Sequence, residues 1–218
     1  MSAPAEATDR PTKRVRRPSE AQRASAEVTR TTLIKVACAQ FTKAGYHATA
    51  TTDLVALASV TRGALYHHFA DKATLFEAVL RKVAAELIRA ANKRVASLSG
   101  DTWRQFVVAL PTYLQLVAAS PEAQRILLID GPVVLGWKRW RDIQSEYVLT
   151  GVVKILSMLM DEGLIARRAP EPLANLIQAA LDDAALSIAH AADPQAVSIE
   201  AADALLALLQ GLRVDGGR

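Results

Sequence analysis

The stretch SVTRGALYHHF, Ser59 to Phe69, gathers several kinds of hydrogen-bonding side chain around a pair of small residues. Arg62 carries a planar fork of donors that suits guanine O6 and N7 or a phosphate. Tyr66, His67 and His68 offer a hydroxyl and imidazole N–H groups that reach phosphate oxygens, and Lys72 just beyond adds a charge. Gly63 and Ala64 are small enough for a backbone to approach a duplex closely. A glycine inside a helix costs about 1 kcal/mol relative to alanine, so its place here calls for a compensating gain. The chemistry is that of nucleic-acid contact, with a plain polar helix surface as the competing reading. A metal site is not expected: adjacent helical residues diverge by about 100°, ligand pairs on a helix sit four apart, and His47 and His190 add no third ligand at a recognisable spacing. With no Ser-His-Asp arrangement and no glycine-rich phosphate loop, neither an enzyme nor a cofactor is expected.

Those residues need elements to hold them. Leu33, Ala37 and Phe41 recur every four residues with Ile34 alongside, and Gly45 stands where a C-cap belongs, which predicts a first helix from about Glu27. Leu54, Val55 and Ala58 give "TDLVALA" one apolar face. Ser59 and Val60 then form a turn, and Thr61 is the N-cap of a third helix running to about Phe69. Leu65 and Phe69, four apart, face the core. Two short helices joined by a tight turn and packed on a longer one make a helix-turn-helix.

The segment FTKAGYHATATTDLVALASVTRGALYHHFADKATLFEAVL resembles the DNA-binding domain of the tetracycline-repressor (TetR) family of bacterial transcription regulators. The matching elements are Phe41, Gly45-Tyr46, Thr49, Leu54, Ala58, the run Val60 to Tyr66, His68-Phe69, Lys72 and Leu75-Phe76. The resemblance implies base contacts near Arg62, Gly63 and Ala64, and phosphate contacts from Thr51, Thr61, Tyr66, His67, His68 and Lys72. Ser59 stands where the turn usually has glycine and Val55 where alanine is usual, which leaves the operator sequence open.

Beyond this unit a helix from about Lys72 to Ser97 carries Leu75, Val79, Val83 and Leu87 along one face and links two parts. Asp101 or Thr102 caps another helix ending near Ala119, and Pro121 opens the next. Gly131-Pro132 should end a helix, and Gly136 should loosen the chain after it. Trp103, Phe106, Tyr113, Trp137, Trp140 and Tyr147 cluster in this region, with Met158 and Met160 later; they line a ligand cavity or serve as ordinary core. Gln115, Asp130 and Arg104 are polar candidates nearby, and Leu116 is a position where a bulkier side chain would narrow the cavity. The last third is rich in alanine and leucine. Ile177, Ala180, Ala184 and Ile188 fall on one stripe, and Leu205 and Leu209 on another. In an isolated subunit such stripes mark an association site, unless packing within the subunit consumes them. The resemblance favours a homodimer built on the last two helices.

Charge distribution agrees with a divided chain. Residues 1–82 hold 13 Lys/Arg against 7 Asp/Glu, or +6, and the remainder holds 13 against 15, or −2, which together give the net +4. The N-terminal part is expected to meet a polyanion. The single cysteine, Cys38, points to a reducing cytosol and a small buried hydrophobe. No apolar leader or membrane span is expected. The expectation is an all-α protein with a disordered basic arm over 1–24, a helix-turn-helix domain over 25–71 and a helical ligand-binding and dimerisation domain over 72–218. It would be a cytoplasmic regulator, most simply a repressor, that binds double-stranded operator DNA and is released by a small apolar or amphipathic inducer. A nonspecific architectural DNA-binding protein is the alternative.

Overall fold

The computed structural model describes residues 19–96 and 101–214. Among them every regular element is helical, and one isolated bridge joins Ile165 to Arg213. Helix α1 (Glu20–Ala48) begins earlier than its apolar pattern does. Ser19 and Gln22 form a reciprocal capping box, with Gln22 N–H donating to Ser19 Oγ at 3.3 Å and Ser19 N–H donating to Gln22 Oε1 at 2.9 Å. The expected arm over 1–24 is therefore helical from Glu20, and its basic residues Lys13, Arg14, Arg16 and Arg17 lie outside the described residues.

Near its end α1 breaks at Gly45, where φ is +80°. A Cβ there would sit 1.9 Å from Arg125 Nη2, the far end of a flexible side chain that can move aside, so it is the conformation that requires glycine. Helices α2 (Thr51–Leu57) and α3 (Arg62–His68) follow, buried through Leu54 and Leu65. Ser59, in the turn between them, takes φ +53°, the left-handed conformation that glycine adopts freely. Ser59→Gly should raise unfolding stability by about 0.5 kcal/mol, and the β-branched Ser59→Val should lower it by about 1–2 kcal/mol. Urea unfolding of the two variants would check this, and a stabilised Ser59→Val would show that the turn tolerates bulk.

Helix α4 (Lys72–Ala96) spans the molecule. Its Phe76 ring meets Phe41 at 5.3 Å and Tyr46 at 5.2 Å, both edge-on, which fixes it to α1. Helix α5 (Thr102–Ala118), capped by Asp101, packs on α4, α8 and α9. After it, residues Ala123–Asp130 form a π-helical segment that runs on into α6 (Gly131–Leu135). Gly131-Pro132 thus does not end the helix. A wider turn ahead of a proline relieves the clash between its ring and the preceding carbonyls, and an N–H is not missed where the ladder is already shifted. The break comes instead at Gly136, φ +76°, after which α7 (Trp137–Asp161) runs back along α4. Helix α7 is long and apolar enough to cross a membrane, yet it packs against α8 and sends Trp140, Ile143, Leu156 and Leu159 into the core. Helices α8 (Pro170–His190) and α9 (Pro194–Gln210) complete the bundle. One cluster of buried apolar residues extends from Leu33 in α1 to Leu209 in α9.

Candidate nucleic-acid interface and ligand cavity

At the start of α3, Thr61 caps the helix by accepting a hydrogen bond from Ala64 N–H at 3.1 Å. The cap orients α3 so that Arg62, Gly63, Tyr66 and His67 are exposed while Leu65 and Phe69 are buried. The Arg62 guanidinium lies 5.6 Å from the Tyr66 ring centroid. Hydrogen bonds from Arg62 and then Thr51 hold the Tyr66 hydroxyl below its ordinary pKa. Thr51, Arg62 and Tyr66 therefore form one exposed donor cluster, built from α2 and α3 together. His67 and His68 lie edge-to-face, 5.3 Å apart, with His67 the more exposed. Ala64 is half-buried.

Gly63 differs from Gly45. A Cβ added to it would meet only Thr61 Oγ1, at 3.8 Å, which is ordinary contact. Among the described residues, nothing requires glycine there.

Lys72 is more engaged than a free phosphate-binding lysine. Its Nζ donates to the carbonyls of Tyr46 and Thr49, each at 2.9 Å, and sits 4.2 Å from the Tyr46 ring centroid. It closes the end of α1 against the start of α4, and burial lowers its pKa. An ammonium has three donors, so one is left for an external oxygen.

Asp130 and Glu122 also tie the helix-turn-helix to the rest of the chain. Asp130, at the end of the π-helical segment, accepts from Tyr46 N–H at 2.8 Å and from Arg125 Nε at 3.2 Å. Within the second part, Glu77 of α4 pairs with Arg81 of α4 and Arg139 of α7, while Arg81 also pairs with Glu146 of α7. Cys38 is buried and donates to Glu122 at 2.6 Å, with burial first and then this carboxylate pushing its thiol up to about 12. Such a thiol stays protonated.

A cavity of about 180 Å³ opens among α4, α5, α7 and α8, and Phe106, Tyr113 and Tyr147 line it. The other three aromatics singled out in the sequence lie elsewhere. Trp140 is fully buried, its indole N–H donating to Leu127 O at 2.6 Å, which makes it a core residue. Trp137 points outward and is 54% exposed. Trp103 packs edge-on against Phe106 at 6.1 Å, behind the cavity wall. Met158 and Met160 are outside the lining, Gln115 and Arg104 are exposed, and Asp130 is occupied at the junction. Leu116 faces a different groove, with Val83 and Leu87. Sequence reasoning missed Gly151 and Asn92 at the cavity and the apolar wall of Leu110, Val152, Ile155 and Leu181. The spacing of Val148, Val152 and Ile155 on α7 carried that signal.

The proposed association stripe also needs correction. Ile177, Ile188, Leu205 and Leu209 are buried in the subunit's own core, and Ala180 and Ala184 are half-buried against it. The exposed apolar residues of α8 and α9 are Leu176, Ile199 and Leu208, at 70%, 57% and 70% exposure. Both helices are apolar around much of their circumference, so periodicity alone does not separate a core stripe from an exposed one.

Residues 33–79 match the family described as bacterial regulatory proteins, tetR family, and residues 103–212 match the tetracyclin repressor-like C-terminal domain. The chain belongs to the TetR family. A TetR-family transcriptional regulator from Pectobacterium atrosepticum is 38% identical, with a TM-score of 0.78 over 88% of this chain and 98% of that one. Among TetR-family proteins of named role, the "Probable acrEF/envCD operon repressor" of Escherichia coli K12 is 37% identical over 113 residues, 50% of each chain. The chain thus spans about half the length of that curated relative. The Transposon Tn10 TetC protein of Escherichia coli is 25% identical over 145 residues, 66% of this chain and 72% of that protein. The TetR framework accounts for the helix-turn-helix followed by an all-helical second part.

Proposed function

We propose that the protein is a homodimeric, cytoplasmic transcriptional repressor whose two α3 helices read a roughly palindromic operator, and that a small apolar molecule in the cavity among α4, α5, α7 and α8 releases it. Gly63 carries the first half of this reading. A glycine that none of the described residues requires, flanked by exposed Arg62 and Tyr66 and half-buried Thr51, is accounted for by a surface outside the chain that approaches the backbone. The repressor named among the relatives supports the direction of regulation.

Release is a matter of linkage. To turn a population from about 1:99 to 99:1, the ligand must prefer the non-binding form by about 5.5 kcal/mol. The route open to it is α4, which borders the cavity and holds the helix-turn-helix through Lys72 and Phe76. Arg81 also lies beside Tyr147, which lines the cavity.

Selection of DNA from a random pool by the purified protein tests the reading. The expected product is a pair of inverted half-sites whose centres lie about 34 Å apart or a multiple of it. A pool with no enriched sequence, bound equally well after scrambling at the same salt, would support the architectural alternative instead. For the dimer, we assign the contact with a second copy to the exposed apolar side chains Leu176 of α8 and Leu208 of α9. Leu208→Glu should leave the subunit folded, because the side chain touches little within it, and should yield a monomer with operator affinity lowered by at least tenfold. Sedimentation of an intact dimer would move the interface elsewhere.

A further inference from the structure

The cavity among α4, α5, α7 and α8 is more selective than the general reading of an apolar effector requires. Its volume, about 180 Å³, is close to that of an apolar cavity that holds benzene, roughly 150 Å³. That volume matches one ring with a small substituent. No Asp, Glu, Lys, Arg or His lines it, and its polar side chains are Asn92, Tyr113 and Tyr147. An unpaired charge in such surroundings is heavily penalised.

The two tyrosines differ. Tyr147 lies beside Arg81, at the edge of a second, charged groove. Tyr113 is buried, and its hydroxyl has no hydrogen-bond partner among the described residues. Burial, and then the Asp182 carboxylate, raise its pKa, so it stays protonated and is a donor in search of an acceptor. A ligand carboxylate placed there would face the same Asp182 charge.

Gly151 adds an independent observation. It lies within α7, is exposed, and lines the cavity, and an added Cβ would meet nothing within 4 Å. A mid-helix glycine without a packing reason weakens the helix. Its place is accounted for by the open mouth it leaves.

We propose that this cavity takes an uncharged, single-ring aromatic molecule bearing one hydrogen-bond-accepting oxygen, which enters past Gly151 and sets that oxygen on the Tyr113 hydroxyl. The proposal rests on the cavity being the effector site of the regulator described above. Calorimetry on the full chain at pH 7.5 with acetophenone, toluene, benzoate and a naphthyl ketone tests it. Acetophenone should bind once per subunit, with benzoate and the naphthyl ketone at least 100-fold weaker. Tyr113→Phe should weaken acetophenone about tenfold and leave toluene unchanged. Gly151→Leu should abolish binding of both while thermal unfolding is unchanged or raised. Benzoate binding as tightly as acetophenone, an unchanged acetophenone-to-toluene ratio in Tyr113→Phe, or no binding of either neutral ring would overturn the proposal. Operator release measured in parallel separates the two readings. Acetophenone that binds as expected without releasing operator leaves the ligand class standing and removes its role as effector. Release by a compound whose binding survives Gly151→Leu leaves the regulator standing and removes this cavity.

Discussion

Gly63→Leu is expected to fold at least as stably as the parent chain and to lose operator affinity by about 100-fold. The two effects have opposite signs because they arise in different places. Within the chain, a Cβ at this position meets only Thr61 Oγ1 at 3.8 Å, and leucine is a far better helix former than glycine, by about 0.7 kcal/mol. Against DNA, four new carbon atoms occupy the space where the first turn of α3 would approach the base edges. Separating that backbone from the groove removes the contacts of Arg62 as well. A loss of about 3 kcal/mol corresponds to roughly 100-fold. Fluorescence anisotropy at fixed salt, on selected and scrambled DNA, together with urea unfolding, reads both effects. Unchanged operator affinity would show that the start of α3 does not face the groove. Reduced stability would show that the fold, and not the DNA, requires the glycine.

Asp182→Asn is expected to stabilise the protein at pH 7.5 by about 1–3 kcal/mol and to remove most of the pH dependence between 4 and 6. Asp182 is 5% exposed, and its Oδ2 has no hydrogen bond; the Arg141 guanidinium lies 3.7 Å away, a charge contact too long to be one. Burial raises its pKa from 3.8 to about 6, opposed by Arg141 and a hydrogen bond with Gln178. Between those two values the folded chain keeps a proton that the unfolded chain has released. Stability therefore falls as pH rises through the window, by up to about 3 kcal/mol at 1.36 kcal/mol per unit. The amide carries no charge to bury and offers N–H donors near Gln178 Oε1, another buried acceptor without a partner. Urea unfolding at pH 4, 5, 6 and 7.5 would show the parent losing stability along this range while the variant stays level. Parallel curves would mean that Arg141 fully neutralises the carboxylate in the folded state.

The helix-turn-helix was legible because each of its parts has a local cause. The Thr61 cap, the Leu54 and Leu65 contacts and the Gly45 break each arise from residue chemistry within a few positions, and the structure has all of them. The start of α1 was also written locally, in Ser19-Glu20-Ala21-Gln22, but was masked by the proline- and arginine-rich residues before it. The second part was less legible because its outcomes are decided over distance. Trp137 and Trp140 are three residues apart, yet one is exposed and the other is sealed by the carbonyl of Leu127. Aromatic density could locate the region of the cavity but not its wall. For α8 and α9, small and apolar residues on several faces leave the choice of inward face to the neighbours, here α5 and α7.

The bond from Tyr46 N–H to Asp130 crosses from the reading head to the sensing body at a single backbone amide. In deuterated solvent that amide exchanges only when the carboxylate withdraws, while neighbouring amides held by their own helix report only local fraying. Its protection factor is therefore a thermodynamic gauge of the seam between the two parts, readable without any DNA in the tube. An effector that loosens the seam and one that tightens it would move the isotope uptake of this one residue in opposite directions.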